Sequence, residues 1–291
     1  MGARTLTEHC YLREQNQWIE RGASMNKSLK GTALITGASS GIGATYADRL
    51  ASRGHDLILV ARNRERLDVL ATRLTDDTGR SVEVIVADLN NKADLARVEQ
   101  VLRTDSSITV LVNNAGIAMS GDLASADPDR LEEMIHLNVL APSRLALAAI
   151  PGFVVRGSGT LINISSVLAL APEMFNGSYS GTKAYLLNLS LRLQQEVASK
   201  GVRVQVVLPG ATRTAIWERA GTDIATLPPS MLMDVDEMVD AALIGLDRGE
   251  SVTIPSLPDM ADWEAYEAAR QKMIPKLSLS SPAVRYRVTA A

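Results

Sequence analysis

Thr32-Ala33-Leu34-Ile35-Thr36-Gly37-Ala38-Ser39-Ser40-Gly41-Ile42-Gly43 joins a strand to a helix across a glycine-rich turn, and the architecture follows from that junction. The run ending in Thr36 is short, apolar and β-prone, while Gly41-Ile42-Gly43 opens a helix. Such a junction turns backbone N–H groups and the positive end of a helix dipole toward one point, as a bound pyrophosphate requires. The glycines let an anion approach the main chain, so Gly37, Ser39, Ser40, Gly41, Ile42 and Gly43 are candidate contacts. Their spacing, Gly-x-x-x-Gly-x-Gly, differs from the common Gly-x-Gly-x-x-Gly fingerprint. Three glycines alone also suit a plain tight turn; the strand before and the helix after favour the anion site.

Beyond this junction, short runs rich in Val, Ile and Leu alternate with segments of helical period, the pattern of a parallel sheet covered on both faces. The expected strands run from Thr32 to Thr36, Asp56 to Ala61, Val82 to Ala87, Thr109 to Val112, Thr160 to Ile164, Val202 to Leu208 and Val252 to Ile254. Between them Leu67, Leu70, Ala71 and Leu74 form one apolar helical stripe, and Leu95, Val98 and Leu102 another. Asp127 before Pro128 supplies a capping side chain and a proline at the first helical position, which predicts a helix through Asn138. The expected class is therefore α/β: a doubly wound parallel sheet of seven strands with helices on both faces. One domain spans residues 29–255 with a candidate lid near 215–233, followed by a C-terminal helix and tail over 256–291.

A chain of 291 residues at 46% apolar and 22% charged has enough apolar surface for one sizeable core. A formal charge of -3, with Lys and Arg dispersed, describes no basic field for nucleic acid. Cys10 is the single cysteine, so no disulfide framework is expected, and a reducing cytoplasm fits. His9, His55 and His136 lack metal-ligand spacing, and no metal site is expected. The longest apolar run, Leu145 to Val155, is interrupted by Pro151 and Gly152, so no membrane segment is expected. Residues 1–28 carry mixed charge without an apolar core; they read as a loose extension rather than a signal peptide, with Met25 an alternative start.

Chemistry-bearing residues follow in order. Ala61-Arg62-Asn63-Arg64 ends the second strand, where a carboxylate accepts from a ribose hydroxyl and an arginine instead favours a 2′-phosphate. Arg62, with Ser39 as a second contact, therefore points to NADP(H), although a strand-end arginine can also be a plain solvated charge. Tyr179 and Lys183 lie four apart and share a helix face. A phenol titrates near pH 10, so working near neutrality requires about 4 kcal/mol of preferential phenolate stabilisation, for which Lys183 and a positive nicotinamide are the expected sources. Ser166 follows the fifth strand, at the end where open α/β sheets place their ligand crevice. Asn138 continues the stripe of Leu131, Met134 and Ile135, which buries an amide; bending of the helix before Pro142 is its other reading.

Thr36 to Gly43, Asn113-Asn114-Ala115-Gly116, Asn138, Ser166, Tyr179-x-x-x-Lys183 and Pro209-Gly210-Ala211-Thr212-Arg213-Thr214 together resemble the short-chain dehydrogenase/reductase family, in its order and separations across residues 30–255. The resemblance implies a Rossmann fold and hydride transfer between NADP(H) and a small-molecule carbonyl or alcohol. By it Tyr179 is the general acid and base, Ser166 holds the substrate oxygen, Lys183 also binds the nicotinamide ribose, and Asn138 holds a water in the proton path. Asp88 and Leu89 would meet the adenine, Asn114, Ala115 and Gly116 would wall the cofactor, and Pro209, Gly210, Thr212 and Thr214 would border the nicotinamide. Both asparagines after the fourth strand also suit simple turn chemistry. A homodimer or homotetramer is implied as well. Two rival readings are a non-catalytic dinucleotide sensor and a ketoacyl thioester reductase; against the latter, Val252-Thr253-Ile254 runs into Pro255 and an added helix.

Overall fold

The computed structural model describes residues 30–286. The expectations about His9, Cys10, Met25 and the N-terminal extension, and those on the last five residues of the tail, lie outside the described residues.

Seven parallel strands, β1 (Thr32–Thr36), β2 (Asp56–Ala61), β3 (Val82–Val86), β4 (Ile108–Asn113), β5 (Gly159–Ile164), β6 (Val202–Val207) and β7 (Val252–Thr253), lie in the order β3-β2-β1-β4-β5-β6-β7. The expected seven-strand doubly wound sheet is thus present, with strand ends moved by a residue or so. The chain reverses its direction of travel between β1 and β4, which opens a crevice beyond their carboxyl ends.

The connecting helices are α1 (Gly41–Ser52), α2 (Arg64–Thr78), α3 (Lys92–Thr104), α4 (Pro128–Ile135), α5 (Ala141–Arg156), α6 (Gly177–Val197), α7 (Ile216–Arg219) and α8 (Val235–Asp247). Alternation along the strands divides the core between two faces. Ala33 and Ile35 of β1 pack with Tyr46 and Leu50 of α1, Leu67 of α2 and Val239 of α8. Leu34 faces the opposite way, with Val98 of α3 and Leu145 and Phe153 of α5. Each fully buried Leu or Phe there contributes about 1.5–3 kcal/mol relative to exposure. The second compact unit runs from Ser256 and contains α9 (Met260–Met273), capped by Asp259 and carrying a stacked Trp263–Tyr266 pair with centroids 5.5 Å apart.

Two expectations about the middle of the chain are corrected. The helix begun at Asp127 does not end at Asn138: α4 passes through a π turn, His136–Leu140, directly into α5. Pro142 lacks an N–H and its ring would strike the carbonyl four residues earlier; the wider π turn accommodates both. Pro151 likewise sits inside α5, on its exposed side, where water can satisfy the carbonyl it leaves free. The apolar run is therefore not interrupted. By length and composition alone, Pro128–Arg156 is long and apolar enough to cross a membrane, and it is partly buried inside the fold. Ala141, Leu145, Ala149 and Phe153 form the face of α5 that belongs to the sheet core.

Candidate active site

The crevice at the strand reversal is a cavity of about 550 Å³. Its floor is the turn after β1, where Gly37 adopts φ +65 and a Cβ would stand 2.8 Å from Asn114 Nδ2. A Cβ on Gly43 would collide with the Gly37 carbonyl oxygen, so this glycine serves turn-to-helix packing rather than the cavity wall. Asn114 clamps the same turn: its Nδ2 donates to the carbonyls of Thr36 at 2.9 Å and Gly37 at 3.3 Å. The Thr36 hydroxyl accepts from the N–H groups of Asn114 and Ala115. A main-chain cradle kept open by glycines, with a helix N-terminus at its edge, fits an anionic pyrophosphate.

The cavity lining includes Ser39, Arg62, Asn63, Arg66, Asp88 and Leu89. Arg62 Nη1 lies 3.9 Å from Asp88 Oδ2. The lining also includes Ser40, Gly41, Ile42, Ala115, Gly116 and Thr214, as the sequence suggests. Pro209, Gly210 and Thr212 are not in the lining. Thr212 is buried, donates to the Gly210 carbonyl at 3.2 Å and bridges to Met233. Its side chain therefore serves its own loop.

Asn138, Ser166, Tyr179 and Lys183 lie behind the lining and are all buried. Asn176 caps α6, accepting from Ser178 N and Tyr179 N, which places Tyr179 in the first turn and Lys183 one turn on. Lys183 Nζ lies 5.6 Å from the Tyr179 ring centroid and donates to the Ile164 carbonyl at 3.0 Å, leaving two of its three donors for other partners. Gly116 connects this group to the crevice: a Cβ there would stand 3.1 Å from Asn138 Oδ1 and 3.6 Å from Lys183 Nζ. Ser166 accepts from Leu168 N at 3.2 Å and makes only a long bond, 3.4 Å, to the Pro209 carbonyl, so its hydroxyl is weakly committed.

Burial pushes the Tyr179 phenol above its ordinary range and pushes Lys183 down to about 8. Desolvation penalises the charged form of each group in the cofactor-free protein. Asn138 is more committed than its sequence context suggests. Its Nδ2 donates to the Ile117 carbonyl at 2.8 Å and the Thr182 hydroxyl at 3.1 Å, and its Oδ1 accepts from Ile117 N at 3.0 Å. Both amide hydrogens are used, which leaves the second Oδ1 lone pair for a further partner.

The hydrophobic cluster around Tyr179 comprises Ala118, Met134, Leu168 and Ala220, with Phe175 and Ile216 packed against it. Phe175 meets the Tyr179 ring edge-on at 5.8 Å and the Trp217 ring at 6.0 Å. The segment bearing α7 is held down by a bond from the Ser120 hydroxyl to the Ala220 carbonyl. Arg66 and Thr182 were not among the expected site residues. A basic side chain in a helix's first turn was the available signal for Arg66; nothing local announces Thr182, whose partner is 44 residues away.

Residues 31–225 match the family model described as short chain dehydrogenase. A short-chain dehydrogenase from Sphingobium yanoikuyae, solved in complex with NADPH, is 52% identical with a TM-score of 0.86, covering 88% of this chain and 100% of that one. An alcohol dehydrogenase from Comamonas testosteroni described as specific for bulky-bulky ketones is 47% identical with a TM-score of 0.81, covering 88% of this chain and 98% of that one. Human 17-beta-hydroxysteroid dehydrogenase type 3 is 33% identical over 266 residues, which are 89% of this chain and 84% of the human protein.

Proposed function

Given that this chain belongs to the short-chain dehydrogenase family, we propose that it interconverts a bulky, largely apolar ketone and its secondary alcohol with NADP(H), using Tyr179 as general acid and base. The shared face of Tyr179 and Lys183 behind a glycine-floored crevice carries this reading. The main chain of Gly37 to Ile42 would hold the pyrophosphate, Ser39 and Arg62 the adenosine end, Asp88 and Leu89 the adenine, and Thr214 the nicotinamide carboxamide. Once bound, the dinucleotide supplies the hydride for reduction and accepts it in oxidation.

The chain's own residues manage the oxygen and its proton. Ser166 Oγ and Tyr179 Oη grip the substrate oxygen, and the Tyr179 proton passes to it in reduction and returns in oxidation. Because burial favours the neutral phenol, Tyr179 is protonated at neutral pH in the protein alone, the form needed to donate. Lys183 stands beside the ring to stabilise the phenolate and offers its free donors to the nicotinamide ribose. Asn138 holds the loop at Ile117 against α6 through bonds to both, keeping the crevice wall and the acid in register.

Leu168, Phe175, Ile216 and Ala220 pack around Tyr179, and Ile216 also lines the crevice; such apolar surroundings exclude water and favour a hydrocarbon-rich substrate. The ketones named for the Comamonas relative and the steroids named for the human one are bulky in the same sense. We place the protein in the cytoplasm as a homodimer or homotetramer, with the exposed Leu147 and Val155 of α5 as an apolar contact face.

The test is a ketone and alcohol panel assayed with both cofactors, with Tyr179→Phe alongside. Turnover is expected with bulky ketones, falling by several orders of magnitude in the variant while cofactor binding persists. A variant with near wild-type turnover removes Tyr179 from the chemistry, and binding without turnover by the wild type favours the sensor reading.

A further inference from the structure

The start of α2 holds one acid, Glu65, but three arginines around it give the segment a net positive charge. Free N–H groups at a helix N-terminus make acidic side chains the favoured occupants, yet Arg62 and Asn63 lead directly into Arg64-Glu65-Arg66. A local rule broken in this way commonly marks a functional constraint. The three guanidinium groups have different surroundings. Arg62 lies 3.9 Å from Asp88, and Arg64 lies 4.0 Å from Asp68. Arg66 has no carboxylate within ion-pair distance among the described residues, and it lines the crevice beside Ser39, Arg62 and Asn63. Neither Arg64 nor Glu65 lines it. The Asn63 side chain accepts from Arg66 N at 2.8 Å, which fixes the turn between the two arginines.

Resting on the NADP(H) reading above, we infer that Arg66 is the principal cation for the cofactor's 2′-phosphate and sets the preference over NAD(H). Arg62, its charge partly answered by Asp88, serves the adenine side of the same pocket. The phosphate carries close to two negative charges, and a planar guanidinium with no competing carboxylate can meet it with two parallel N–H bonds. Ser39, in the same lining, adds a neutral donor. Arg64 is one residue away and equally charged, but it is directed to Asp68, so it is the internal control for a general electrostatic effect.

The experiment is calorimetric binding of 2′,5′-ADP and of ADP to the wild type and to Arg66→Gln, Arg64→Gln and Arg62→Gln. The wild type should bind 2′,5′-ADP more tightly than ADP. Arg66→Gln should weaken 2′,5′-ADP by about 10- to 100-fold, the usual range for a charge-assisted pair, and leave ADP unchanged. Arg64→Gln should change neither, and Arg62→Gln should weaken both. Because Arg66 is exposed and opposes the helix dipole, the melting temperature of Arg66→Gln should be equal or higher, which separates lost binding from lost fold. A wild type without preference for 2′,5′-ADP defeats the NADP(H) reading itself. A normal wild-type preference retained by Arg66→Gln, or lost equally in Arg64→Gln, overturns the role of Arg66 alone.

Discussion

Asn138 Nδ2 donates to the Thr182 hydroxyl at 3.1 Å, and that hydroxyl donates in turn to the Tyr179 carbonyl at 2.7 Å. One buried oxygen thus joins the π turn, which also grips Ile117, to the first turn of the helix bearing the phenol. Thr182→Val keeps the shape but leaves one amide hydrogen of Asn138 without its acceptor, at a cost of about 1–3 kcal/mol. Denaturant unfolding should show that loss, together with lower kcat at similar cofactor affinity, and Thr182→Ser should recover both. Equal behaviour of the Val and Ser variants would mean the bond positions nothing.

Lys183 gives the cofactor-free protein a pH signature. Its native pKa is lowered by burial to about 8, so between about pH 8 and about pH 10 the unfolded chain binds more protons at this residue than the native one. Stability from this group therefore rises with pH across that window. Tyr179 acts oppositely above it: its raised native pKa keeps the phenol neutral after the unfolded chain has ionised, so its contribution falls above about pH 10. Urea midpoints for the wild type and Lys183→Met should differ in slope through the lower window, with the rise missing in the variant. Parallel curves would show that the amine is hydrated in solution.

Gly159 opens β5 directly against Phe153, and a Cβ there would collide with the ring. Gly159→Ala should destabilise by about 1–3 kcal/mol through overpacking. Combining it with Phe153→Leu should cost less than the two single losses added, because both act on the same space. Strict additivity in a thermal unfolding cycle would contradict the contact.

Trp217 is fixed by its indole N–H, which donates to the Thr212 carbonyl at 2.9 Å, and it presents its ring to Phe175. An edge-on aromatic pair is worth about 0.5–1.5 kcal/mol, so Trp217→Ala should loosen the segment and remove apolar wall. KM for bulky ketones should rise more than for small ones, with kcat changed less. Steady-state constants unchanged across the series would place the substrate elsewhere.

Features set by neighbouring residues were readable from the chain alone. Parallel strands buried on both faces are continuous apolar runs, so the seven strands could be found within a residue or so. The turn from Thr36 to Gly43 announced its backbone through glycine, and Tyr179 and Lys183 declared a shared face by spacing four residues apart. Packing set the rest. Asn138 bonds Ile117 and Thr182, Thr212 bridges to Met233, and Pro142 fits a π turn, all contacts that no short window of sequence specifies. The proton affinities of Tyr179 and Lys183 belong to the same class, because desolvation is a property of every atom packed around a group.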